Sequence, residues 1–175
     1  MRLSALRHVV ESVRALGQCR KVIVMGSASL LASFPELGEQ ELLENTYDGD
    51  LLLDPSNEKI AGYVAEAVGQ GSLFKAEHGY HADILQPTIV ESLPPEWETR
   101  LVALEGFKNV FALDPYDLAA VKVVAGREKD LTLVRGLIGL GKISADELRK
   151  RLHTMPLGEK EMFRAGRNFA GLTAS

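Results

Sequence analysis

The feature that most constrains the fold is a junction. Residues 21 to 31, KVIVMGSASLL, pass from a β-branched run suited to a buried strand, through Gly26-Ser27, into a segment with the pattern of a helix that stops before Pro35. Twenty residues separate Ser27 from Asp48, and the stretch TYDGDLLLD, residues 46 to 54, then sets Asp48 and Asp50 at the head of a second apolar run. A buried strand that turns at once into a helix and is followed by another buried strand needs helices packed on a sheet.

The rest of the chain fills in that architecture. Leu3, Leu6, Val10, Val13 and Leu16 recur at three- and four-residue spacing with Arg2, Arg7, Glu11 and Arg14 facing elsewhere, predicting an amphipathic helix packed on the sheet. Residues 35 to 45 are acidic and read as a surface excursion. After the turn signal Asp54-Pro55-Ser56-Asn57, Ile60, Tyr63, Val64 and Val68 predict a second amphipathic helix. Tyr80 to Leu85 alternates as a strand does, placing His81, Asp83 and Leu85 on one face. Pro87 and Pro94-Pro95 bound a linker, and Arg100–Leu104 and Val110–Leu113 are expected to be short strands flanking a turn at Gly106.

From Asp114 the pattern is helical. Asp114 is a natural N-cap with Pro115 at the first helical position, and Leu118, Val121 and Val124 recur on one face until Gly126 interrupts. Further helices are expected at about Arg127 to Leu140, after a capping box at Ser144-Ala145-Asp146-Glu147, and from about Lys160 to Phe169. The expected fold class is α+β: a small mixed sheet flanked by helices, residues 1–113, with a C-terminal helical layer, residues 114–175, packed on it.

Composition excludes several classes. No apolar run is long enough for a membrane span, and the charges in MRLSALRHVVESVRAL do not suit a signal peptide, so a cytosolic protein without membrane partners is expected. Cys19 is the only cysteine, which rules out an intrachain disulfide, and it is expected to be a structural thiol. The net charge of −4 is uneven: residues 1–21 carry five basic and one acidic side chain, residues 142–175 seven and four, and the middle eight and nineteen. An acidic centre suits a metal site and argues against a broad DNA-binding surface. The basic ends, lacking interleaved aromatic residues, are expected to be solvated helix faces.

The chemistry concentrates in the two opening segments. On a strand, Asp48 and Asp50 share a face, so both carboxylates reach the same divalent ions, and Asp83 at the centre of an alternating strand is the candidate third ligand. Asp48-Gly49 equally suits a hairpin turn. Gly26-Ser27 at a strand-to-helix junction offers a close backbone approach, a hydroxyl donor and a helix N-terminus to a phosphate, although such a pair also starts helices for capping reasons alone. Neither a dinucleotide fingerprint nor a Walker loop is present. Lys122 stands alone among Ala119, Ala120, Val121, Val123 and Val124, where a charge needs a partner, and with Arg127 and Lys129 it is a candidate for binding polyphosphate. The run Arg127-Glu128-Lys129-Asp130 also suits charges pairing among themselves. His81 either assists a base or is a hydrogen-bonded neighbour of Asp83, and Trp97 reads as a packing anchor.

Gly26-Ser27 after an apolar strand, with Asp48-Gly49-Asp50 leading a second one, resembles the signature of the nucleotidyltransferase superfamily related to DNA polymerase beta. Lys122 and the run from Ala125 to Asp130, Gly79-Tyr80, and Leu93 to Leu101 are similar to blocks of bacterial nucleotidyltransferase-like proteins, among them the AbiEii-type toxins and uncharacterised relatives. The resemblance implies that Gly26 and Ser27 hold nucleotide phosphates and that Asp48 and Asp50, with Asp83, bind two Mg²⁺ ions, while the positive charge of Lys122 and Arg127 makes them the expected further contacts to the nucleotide. It implies transfer of a nucleotidyl group from an NTP to a hydroxyl of RNA, protein or a small molecule. The alternative is a non-catalytic nucleotide-binding or protein-interaction module, such as one partner of a toxin–antitoxin pair. Gly49 departs from the apolar strand residue usual at its position.

Overall fold

A computed structural model of the chain describes residues 1–17, 19–55 and 58–173. It forms two compact units. The first comprises residues 1–89 and 101–113, the second residues 90–100 and 114–175.

The first unit is built on a five-stranded sheet in the order β3-β2-β1-β5-β4, with β1 Lys21–Val24, β2 Asp48–Asp54, β3 His81–Ile84, β4 Val102–Ala103 and β5 Val110–Ala112. The sheet is mixed: β1 runs antiparallel to β2 and parallel to β5, β2 is parallel to β3, and β4 and β5 form an antiparallel pair around Gly106. The first helix, α1 Leu3–Gly17, buries Leu6, Val9, Val10 and Val13. A three-residue 3₁₀ turn, Ser27–Ser29, leads into the short α2 Leu30–Ser33. The acidic excursion is a pair of 3₁₀ turns, Pro35–Glu39 and Glu41–Leu43, pinned by the buried Leu37 and Leu43.

Two more helices complete the unit, α3 Glu58–Val68 and α4 Leu73–His78. Val64 and Val68 of α3 are buried, whereas Tyr63, expected on the same face, is exposed. α4 was not expected: it is capped by Ser72, whose hydroxyl accepts from the Lys75 N–H, and it buries no residue, so it leaves no apolar period to read. The turn expected at Asp54-Pro55-Ser56-Asn57 includes Ser56 and Asn57, which lie outside the described residues.

The second unit is helical: α5 Pro115–Ala125, α6 Glu128–Gly139, α7 Ala145–His153 and α8 Glu159–Thr173. Asp114 caps α5 as expected, its carboxylate accepting from Tyr116 and Asp117 N–H at 2.9 and 3.2 Å. Gly126 ends α5 in the left-handed region, its N–H bonded to the Lys122 carbonyl. The buried face of α5 is Leu118, Ala119, Ala120, Lys122 and Val123 instead of Leu118, Val121 and Val124, because the small alanines and the paired lysine take the inward positions. The capping box at Ser144 does not form: its side chain makes no cap bond, and its backbone N–H donates to the Tyr116 hydroxyl at 3.1 Å.

Charge is buried heavily in this unit. Asp117, with no exposed surface, accepts two bonds from Arg100 at 3.0 and 3.1 Å and another from Arg151. Asp130 accepts from Lys122 Nζ at 2.6 Å and Arg127 Nε at 2.5 Å. Burial would raise the Asp130 carboxyl, but the bonds and charges of Lys122 and Arg127 outweigh it and hold the group below its ordinary value.

Candidate metal centre

β2 and β3 bring the carboxylates together. In parallel register Asp48 lies beside His81, Gly49 beside Ala82 and Asp50 beside Asp83. Side chains alternate, so Asp48, Asp50, His81 and Asp83 share one face of the two strands, and Gly49 and Ala82 share the other. The turn alternative for Asp48-Gly49 is thereby overturned: both residues are strand residues, and Tyr47 accepts the His81 N–H at 3.0 Å just before β2 begins.

Each of Asp48, Asp50 and Asp83 offers a carboxylate oxygen, and the three lie within 4.8 Å of one another, all half-buried. Three hard oxygen donors this close together could hold a divalent cation. Neutralising them would also relieve the repulsion among three neighbouring negative charges.

The two glycines explain how the strand carries this load. Gly26 has φ 55° and ψ −165°, a conformation almost confined to glycine. A methyl group placed on it would lie 1.8 Å from Asp50 Oδ2. The backbone of the Gly-Ser turn is thus packed directly on one of the three clustered carboxylates. The Met25 N–H donates to the Asp50 carbonyl at 2.7 Å and ties β1 to β2 at that point. On the other face, a methyl on Gly49 would meet Val9 Cγ1 at 3.3 Å and Leu6 Cδ1 at 3.8 Å, so glycine is what lets α1 lie close behind the acidic pair.

Beyond Gly26 the helix is shorter than the sequence pattern implied. The Ser29 hydroxyl and N–H both donate to the Gly26 carbonyl, at 2.8 and 3.2 Å, which tightens the turn. With only a 3₁₀ turn and four α-helical residues, little macrodipole accumulates here, and a ligand would depend on the turn's own groups. Ser27 sits half-buried at its start.

Lys122 and Arg127 belong to the second unit, where both bond Asp130. The Cys19 thiol is half-buried, donates to the Gly17 carbonyl, and is pushed up by burial, none of which activates a nucleophile. Sequence reasoning gave no site role to Tyr47 or to Tyr80, each one residue before its strand. They line a cavity of about 440 Å³ with Ser4, Ala5, Thr46 and His78, at the end of the sheet where β2 and β3 begin. His8, against Phe74 and His78, bonds the Tyr80 hydroxyl at 2.9 Å.

Among the described residues no helix is long and apolar enough to cross a membrane. No curated protein and no solved structure matches the chain. A family model described as a nucleotidyltransferase of unknown function, DUF6036, matches residues 2–165, a span that contains the Gly-Ser turn, both strands of the carboxylate cluster and most of the second unit. With that match over nearly its whole length, the chain belongs to this nucleotidyltransferase family.

Proposed function

We propose that the protein is a Mg²⁺-dependent nucleotidyltransferase that moves a nucleotidyl group from an NTP to a hydroxyl acceptor. The observation that carries the proposal is the convergence of Asp48, Asp50 and Asp83 within 4.8 Å on one sheet face, with the Gly26 backbone packed on Asp50. Donor chemistry and spacing fit two magnesium ions, held by Asp48 and Asp50 with Asp83 completing the set. Such ions, when bound, neutralise polyphosphate charge and lower the pKa of the attacking hydroxyl.

The chain's own residues have separable tasks. Gly26 keeps the turn free of a side chain, so that Asp50 holds its place and a phosphate can approach the backbone. Ser27 supplies a hydroxyl donor to the β- and γ-phosphates. The acceptor oxygen bonds to the α-phosphorus as the bond to the bridging oxygen breaks, and pyrophosphate leaves with that oxygen. The resemblance of Lys122 and the run from Ala125 to Asp130 to blocks of toxin-type proteins suits an RNA or protein hydroxyl as acceptor, in the cytosol where NTPs are plentiful, with a cognate toxin or antitoxin as binding partner.

The test is Mg²⁺-dependent incorporation of α-labelled nucleotide into total RNA and protein by the full chain. Label is expected with wild type and absent with Asp48→Ala/Asp50→Ala. Equal signal from both would remove the metal assignment. If neither labels anything, while the wild type still gains metal-dependent thermal stability with NTP, the non-catalytic nucleotide-binding alternative takes its place.

A further inference from the structure

We propose that His81 is a positioning residue for the carboxylate cluster: its Nε2–H holds Asp83 in place as a ligand. The proposal rests on the metal-site reading above. His81 and Asp83 flank Ala82 on β3 and face the same way, and the register sets His81 directly beside Asp48. His81 Nε2 lies 3.4 Å from Asp83 Oδ1, longer than an ordinary N–H···O hydrogen bond but close enough for an electrostatic contact that a small turn of the carboxylate would tighten.

The two partners differ in freedom. The His81 side chain is only 8% exposed and is fixed by its surroundings, whereas that of Asp83 is 47% exposed. A carboxylate so exposed, facing two others of the same charge, is driven outward into water unless something holds it. The imidazole reaches it from a buried position.

The other ring nitrogen sharpens the point. His81 Nδ1 is buried and has no hydrogen-bond partner. With Nε2 carrying the proton toward a carboxylate, neutral Nδ1 is a buried acceptor left unsatisfied, a feature that costs stability. Packing alone would be better served by an apolar ring of the same shape. Histidine is therefore kept for the donor on its other side, in the way ligating carboxylates are commonly held by outer hydrogen bonds.

The experiment titrates the full chain with Mn²⁺ by calorimetry, alongside metal-free thermal melts, for wild type, His81→Phe, His81→Gln and Asp48→Asn/Asp50→Asn. His81→Phe fills the ring's space without a donor. Its metal-free melting temperature is expected to equal or exceed that of wild type, while Mn²⁺ affinity falls about 10- to 100-fold. His81→Gln, whose amide nitrogen reaches the same place, is expected to bind close to wild type. Should the Phe ring not be accommodated, His81→Leu puts the same question. A donor-free variant that folds and binds Mn²⁺ as tightly as wild type overturns the proposal, as does a Gln variant as weak as the Phe variant. Failure of the metal-site reading looks different: wild type then binds no Mn²⁺, or Asp48→Asn/Asp50→Asn binds equally well, and the His81 role falls with it.

Discussion

Replacing Gly26 by alanine should damage metal binding far more than it damages the fold. Its backbone, at φ 55° and ψ −165°, costs a side-chain-bearing residue about 1–3 kcal/mol. The new methyl would start 1.8 Å from Asp50 Oδ2, and real contacts of this kind do not fall below 3.0 Å, so the carboxylate must retreat by at least 1.2 Å. A carboxylate can do that by rotating, which keeps the cost to stability small. For the cluster the same retreat is large, since magnesium tolerates only about 0.2 Å of error in its ligand distances.

A loss of metal affinity of about 100-fold or more is therefore expected, at or above the top of the 10- to 100-fold range typical of outer-shell changes. Thermal melts with and without metal separate the two effects. At a concentration 100 times the wild-type Kd, metal adds about 2.7 kcal/mol to wild type, and a hundredfold weaker variant keeps only about 0.4. Without metal, Gly26→Ala should melt about 2–12 °C lower, in the transition of the first unit if the two units melt apart. Gly106→Ala is the control: Gly106 also has a positive φ, 88°, yet its nearest neighbour would be 3.9 Å away. It should share the strain and keep the full metal-induced shift. A Gly26→Ala protein that melts lower but retains the wild-type metal response would refute the reasoning, because strain alone would then account for the glycine.

The buried Lys122–Asp130–Arg127 group offers a test on the second unit. Asp130→Ala leaves the 8%-exposed Lys122 without its carboxylate and should cost about 3–5 kcal/mol in urea unfolding, with a good part regained by Lys122→Met in the same chain. Stability should also depend on acid through this residue. The folded carboxyl titrates below its ordinary 3.8, so its contribution is complete above that value and is lost as pH falls through the lower folded value. The stability gap between wild type and Asp130→Ala, measured by urea melts from pH 6 to pH 2.5, should be flat above pH about 4.5 and narrow below it. A gap that widens toward acid would contradict the pairing.

Much of this architecture was legible because its signals are local. The Asp114-Pro115 start of α5 and the period of α1 each lie within one element and form as the pattern implies, whereas β3 forms as a strand, His81–Ile84, whose burial does not follow the expected alternation. The misreadings were of features settled by distant neighbours. α4 buries no residue fully, its Phe74 packing on the His8 and Tyr80 rings, and the Ser144 N–H is taken by a tyrosine 28 residues earlier. Lys122 was recognised as a charge in need of a partner, but the choice between a ligand and Asp130 depends on how α6 folds back beside α5. Arg151, read as part of a solvated basic face, instead reaches the fully buried Asp117.

The carboxylate site itself shows why a pattern can be present and yet look weak. Asp50 is bracketed in space by two glycines, Gly26 in front of its carboxylate and Gly49 next to it in the strand, behind which α1 lies. Each glycine serves by lacking a side chain, so neither contributes to an apolar period, and both belong to dipeptides that also start turns or helices. Gly49 looked like a departure from an apolar strand. In the fold it meets two demands at once: the outward face of β2 must carry carboxylates, while the inward face must admit Val9 and Leu6. A larger residue there would press α1 away from the strand that aims Asp48 and Asp50, and overpacking of that kind costs about 1–3 kcal/mol. The Asp-Gly-Asp spacing is therefore set by packing behind the sheet as much as by the chemistry in front of it.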